Sequence, residues 1–101
     1  MTPKLRYALH EITGRILVEI RTHVWFPVEN ETKDQTLKRI ASLADLGHNL
    51  PLWLNGSEDW NEALFREKLK VHEAEFPSRL EPEFYGFREQ ISAIFERAMA
   101  P

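Results

Sequence analysis

The 101-residue chain contains no cysteine. That excludes disulfides, thiolate nucleophiles and thiolate metal ligands. Blocks of positive charge are missing as well. Lys plus Arg number 13 against 16 Asp plus Glu, a formal charge of −3. With the cations scattered, neither a nucleic-acid backbone nor an anionic membrane surface meets a matching patch. Long apolar runs are absent too. Nothing approaches the ~20 residues of a membrane span. The opening MTPKLRYALHEITGR is too polar for a secretory signal. The expectation is a cytoplasmic protein that engages neither nucleic acid nor membrane. There is no G-x-S-x-G, no glycine-rich phosphate loop, and only four serines, none near a histidine in sequence. No motif names a reaction or a cofactor.

What is present is a core-forming composition. Apolar residues make up 43%, with three Trp, six Phe and two Tyr. A chain of this length is one domain, residues 1–101. Helical periodicity runs throughout, and three Pro-containing punctuations divide it: FPVENETKD, LPLWLNGS and FPSRLEP. The spacing predicts an all-α bundle of about four helices.

The first helix is expected from Pro3 to Val24, with Thr2 as N-cap. Leu5, Leu9, Ile12, Ile16 and Ile20 form one stripe at about 100° per residue. A second stripe, nearly opposite, holds Tyr7, Gly14, Val18 and Trp25. A helix apolar on two faces is either central in its domain or shared with another chain, and Gly14 would admit a close helix crossing. The second stripe is therefore assigned as an interface, in a homodimer or against another protein partner. The second helix is expected from Lys33 to Leu50, stopped by Pro51. Its arc is Leu37, Ile40, Leu43, Ala44, Gly47 and Leu50, and the small residues Ala41, Ala44 and Gly47 would let a neighbour approach. The third is expected after Ser57 as N-cap and ends before Pro77. The fourth opens with Pro82 and carries Phe84, Phe87, Ile91, Ile94, Phe95 and Ala98.

Polar chemistry concentrates in LADLGHNLPLWL, residues 43–54. Asp45 and His48 are three apart, close enough on a helix for their side chains to meet. On one reading they form a carboxylate-oriented imidazole, a catalytic or binding pair in a pocket with Asn49, Trp53 and Trp60. On the other, His48 is half-buried with its ring N–H satisfied by Asp45, and Asn49 ends the helix. The structural reading is the expectation taken forward. A metal site has little support: an acid three residues before a histidine occurs here once, where bundle sites need several. The carboxylates Glu29 and Glu31 read as loop solvation. Trp25, Phe26, Trp53 and Trp60 lie near helix ends, either sealing the core or forming a recognition patch.

The run RIASLADLGHNLPLWL resembles a segment of small bacterial helical proteins of unassigned function. These carry Ala-Asp-x-x-His-Asn-apolar-Pro after a first amphipathic helix. The matching residues here are Ala44, Asp45, His48, Asn49, Leu50 and Pro51. The resemblance implies a bacterial source and brings no catalytic residues. Two functions are compatible with these observations. One is a small non-catalytic interaction protein. The other is a small enzyme or ligand-binding bundle using Asp45 and His48.

Overall fold

The computed structural model describes residues 1–76 and 86–101. Among these there are five helices and no strand: α1 (Pro3–Trp25), α2 (Lys33–Gly47), α3 (Leu50–Leu54), α4 (Glu62–Glu75) and α5 (Phe87–Met99). The fold is a small all-α bundle, with four longer helices and one of five residues.

The longest helix, α1, organises the rest. Thr2 caps it, its Oγ1 accepting from Leu5 N at 3.1 Å, and Pro3 stands where its missing N–H costs nothing. Leu5, Leu9, Ile12 and Ile16 are buried. They receive α5, α2 and α3, and Arg6 near the start of α1 donates to the Leu54 carbonyl at the end of α3. The α5 stripe supplies Ile91 and Phe95, both fully buried, with Phe87, Ile94 and Ala98 packed around them. Phe65 of α4 completes the centre, its ring edge-on to Phe95 at 4.9 Å.

Capping chemistry fixes the α2 start. Thr32 and Gln35 form a reciprocal capping box, Gln35 N donating to Thr32 Oγ1 and Thr32 N to Gln35 Oε1. The preceding loop turns through Asn30, whose φ of 63° is one asparagine tolerates. The buried arc of α2 is rotated from the expected one. Leu43 and Leu46 are buried, whereas Leu37, Ala41 and Ala44 are exposed. Of the three small residues, Gly47 alone lies at a close approach: a Cβ there would meet Ile16 Cγ2 at 3.3 Å.

Two expected boundaries are corrected. The second helix stops at Gly47, and a new one begins at Leu50 with Pro51 in its first turn. The pre-proline restriction on Leu50 is overcome because Leu50 and Trp53 are both buried by this turn. The cap after LNGS is Asn61 rather than Ser57, with Asn61 Oδ1 accepting from Leu64 N at 3.0 Å. Gly56, with φ +82°, reverses the chain. Ser57 N donates back to Asn55 Oδ1 at 2.8 Å, so this segment is spent on a turn. Pro82 and Phe84, expected at the start of the last helix, lie outside the described residues, and α5 is capped at Gly86. No helix among the described residues is long and apolar enough to cross a membrane.

Candidate functional site

Three places collect the chemistry-bearing side chains. The first is the segment joining α2 to α3. Asp45 and His48 are both exposed, and no hydrogen bond joins their side chains among the described residues. The expected half-buried, Asp45-satisfied histidine is thus corrected: His48 is the C-cap of α2 and points to solvent from its last turn. The Asp45 carboxylate lies 3.5 Å from Lys68 Nζ instead. Asn49 is the buried one. Its Oδ1 accepts from Lys68 Nζ at 2.7 Å, and its Nδ2 donates to Glu58 Oε2 at 2.9 Å. Lys68 Nζ also donates to the Asp45 carbonyl at 2.9 Å. One amide therefore ties α2, α3, the turn before α4, and α4 itself. This satisfies a buried polar group on both sides.

Trp53 and Trp60 are packed on each other. Trp53 is 4% exposed. Trp60 stacks edge-on against it at 4.9 Å and lies 6.1 Å from both Phe65 and Phe95. Four rings thus interlock as one cluster, where T-shaped contacts suit the ring quadrupoles. Of the residues assigned to this site, the structure joins Trp53 with Trp60, and Asn49 with the Asp45 side of Lys68. It does not bring His48 to any of them.

A second cluster was not foreseen. His72 of α4 is 5% exposed, and its Nδ1 shares a 2.8 Å hydrogen bond with the Ser42 hydroxyl of α2. Its ring lies 5.4 Å from Phe76 and 6.0 Å from Phe87. Burial, with the positive charges of Arg88 and Arg39, pushes its pKa down to about 4. The imidazole is neutral near pH 7 and a weak base. Beside it Arg39 grips Glu31 through two nitrogens, with Nη2 at 2.8 Å and Nε at 3.2 Å from Oε2, and stacks 4.6 Å over Phe76. Those bonds hold the Glu31 carboxyl below its ordinary range. Arg88 donates to the Phe76 carbonyl. The signal for burial was present in the sequence, since His72 falls on the stripe of Phe65, Leu69 and Phe76. Its pairing with a serine 30 positions away leaves no local trace. No group of three or more His, Asp or Glu able to hold a metal ion occurs among the described residues.

The third place is the outward side of α1. Tyr7 is 78% exposed, Val18 62% and Trp25 72%, and Gly14 has nothing within 4 Å of where a Cβ would stand. Leu17, Val24 and Phe26 are exposed beside them. Val24 also borders a separate groove of about 390 Å³, lined by His23, Pro27, Glu31, Lys33, Thr36, Leu37 and Ile40 as well. All four assigned interface residues therefore sit on one uncovered face. The exposed Tyr7, Val18 and Trp25 alternate on this face with Glu11, Gly14 and Arg21, the mixed apolar and charged pattern of a helix-pairing seam.

The chain matches no protein-family model, and comparison with curated proteins and with solved structures finds no significant similarity.

Proposed function

We propose that this chain is a small, non-catalytic interaction protein, cytoplasmic and of bacterial origin, that self-associates as a dimer through the outward face of α1. One observation carries the reading. Tyr7, Val18 and Trp25, with Leu17 and Val24 alongside, lie exposed on a helix whose opposite side is already fully used in the core. Exposed aromatics are costly to leave in water and are the side chains that dominate interface energetics. The bacterial origin rests on the resemblance of residues 44–51 alone. The competing reading, a ligand pocket on Asp45 and His48, has weaker support, because His48 points to solvent and the tryptophans that would line the pocket are packed on one another.

The test is size-exclusion chromatography with light scattering. The wild type is expected to be a dimer at high micromolar concentration. Val18→Glu is expected to be a monomer of unchanged far-UV circular dichroism, since Val18 contributes little to the core. A wild-type monomer at that concentration, or a Val18→Glu dimer, refutes the proposal.

A further inference from the structure

Six exposed residues of α1 recur at alternating steps of four and three: Tyr7, Glu11, Gly14, Val18, Arg21 and Trp25. At 3.6 residues per turn they occupy an arc of about 80°, centred about 170° from the buried stripe of Leu5, Leu9, Ile12 and Ile16. A four-three step is the spacing that keeps a stripe facing one partner helix along its length. Turned end for end against itself, this stripe matches in a single register. We infer that the partner is a second copy of the chain lying antiparallel along α1. Tyr7 then sits opposite the second copy's Trp25, Glu11 opposite its Arg21, and Gly14 opposite its Val18. This rests on the reading of α1 as an association face and specifies how that face is used.

Each layer is complementary in its own terms. Tyr7 and Trp25 pair two aromatic rings. Glu11 and Arg21 pair opposite charges, twice in a two-fold dimer. Glu11 lies 3.5 Å from Arg15 on its own helix, with half its side chain still open to solvent. Arg15 is drawn aside by its hydrogen bond to Gln90 of α5, leaving the stripe itself clear. Gly14 is otherwise a costly choice in a helix interior. Its own fold does not require it, because a Cβ there would touch nothing. Opposite Val18 it leaves room for a branched side chain.

The alternatives are worse. A parallel pair places Glu11 on Glu11 and Arg21 on Arg21. Sliding the antiparallel pair by seven residues breaks the charge pairing and strips Trp25 or Tyr7 of its aromatic partner. The area is that of a weak, reversible dimer. An aromatic side chain buries about 150–250 Å² when covered, so Tyr7 and Trp25 at their present exposures would contribute about 450–750 Å² over the two copies. Val18 adds to this, for a total under about 1,000 Å², the size of a weak, reversible interface.

The register is tested by charge exchange, using light scattering and sedimentation on the full chain. Glu11→Arg alone and Arg21→Glu alone each place like charges in both facing pairs. Each is expected to weaken self-association at least tenfold with unchanged helicity. Mixing the two variants puts Arg against Glu in both pairs and is expected to restore a dimer. The double variant carrying both changes is expected to dimerise like the wild type. If the wild type dimerises and Val18→Glu does not, yet the single charge variants dimerise normally or their mixture stays monomeric, the face stands and this register is overturned. A monomeric wild type overturns both.

Discussion

Replacing Asn49 and His48 by alanine, one at a time, asks which residue of the 45–51 segment the fold depends on. The two are neighbours in sequence and opposite in environment. Asn49 is buried and bonded at both ends to charged groups, Lys68 at 2.7 Å and Glu58 at 2.9 Å, while His48 is exposed. A hydrogen bond to a charged group contributes about 1.5–3 kcal/mol. Glu58 is exposed and recovers water, and Lys68 keeps its bond to the Asp45 carbonyl, so the two bonds do not add in full. Asn49→Ala is therefore expected to cost about 1.5–3 kcal/mol, and His48→Ala less than about 0.5 kcal/mol. Urea unfolding followed by tryptophan fluorescence reads this directly, since Trp53 and Trp60 lie inside the core cluster. At an m-value of about 1.5 kcal/mol/M the asparagine variant should lose about 1–2 M in midpoint. Protein concentration must be held fixed, because dimerisation adds to apparent stability. An asparagine variant within 0.3 M of wild type, or a histidine variant that loses as much as the asparagine one, would show that the tie between α2 and α4 has been misjudged.

Three further outcomes are expected. Ile91→Ala, at a fully buried position between α1 and α5, should cost about 2–5 kcal/mol by calorimetry; a cost under half a kcal/mol would mean α5 docks by another face. Stability should fall as pH drops from 6.5 towards 4. His72 is held neutral with a pKa of about 4 when folded but takes up a proton near 6.5 when unfolded, so the contribution, about 3 kcal/mol, is complete above 6.5 and lost through that window. Thermal melts of His72→Gln should show a flatter slope there, and an equal slope in both proteins would refute the assignment. At the start of α4, Asn61→Ala should cost about 0.5–2 kcal/mol and Ser57→Ala almost nothing, whereas the reverse order would place the cap back at Ser57.

Legibility followed the range of the interactions. Thr2 and Pro3 announce the start of α1, and the stripes of α1 and α5 predict their buried residues, because periodicity and capping are local properties. The break between Gly47 and Leu50 was hidden, since Pro51 reads equally as the end of one helix and the first turn of the next. Burial of Leu50 and Trp53 decides between them, and that depends on α1 and α4. Ser57 looks like a cap as strongly as Asn61 does; the bond from Ser57 N to the Asn55 side chain and the reversal at Gly56 choose otherwise. The contact of Asp45 with Lys68 and of Ser42 with His72 spans 23 and 30 positions. Neither spacing has a pattern, so local reasoning paired Asp45 with its neighbour His48 instead. The outward stripe of α1 was visible because it repeats every turn or two, and its exposure became plain only once the other helices were placed.

The core that α1 builds is shared with α5, the last helix in chain order. During synthesis Leu5, Leu9, Ile12 and Ile16 emerge first, and the side chains that finally cover them, Ile91 and Phe95, emerge some eighty residues later. Closing that loop is entropically slow compared with forming any helix hairpin along the way. In the interval α2 and α3 can cover only part of the α1 core stripe, so the ground α5 will occupy stays bare, alongside the outward face that meets solvent in the finished fold. Nascent chains on one message would therefore meet with two sticky surfaces in place of one, and the order in which α1 finds α5 or another copy of itself decides between assembly and aggregation.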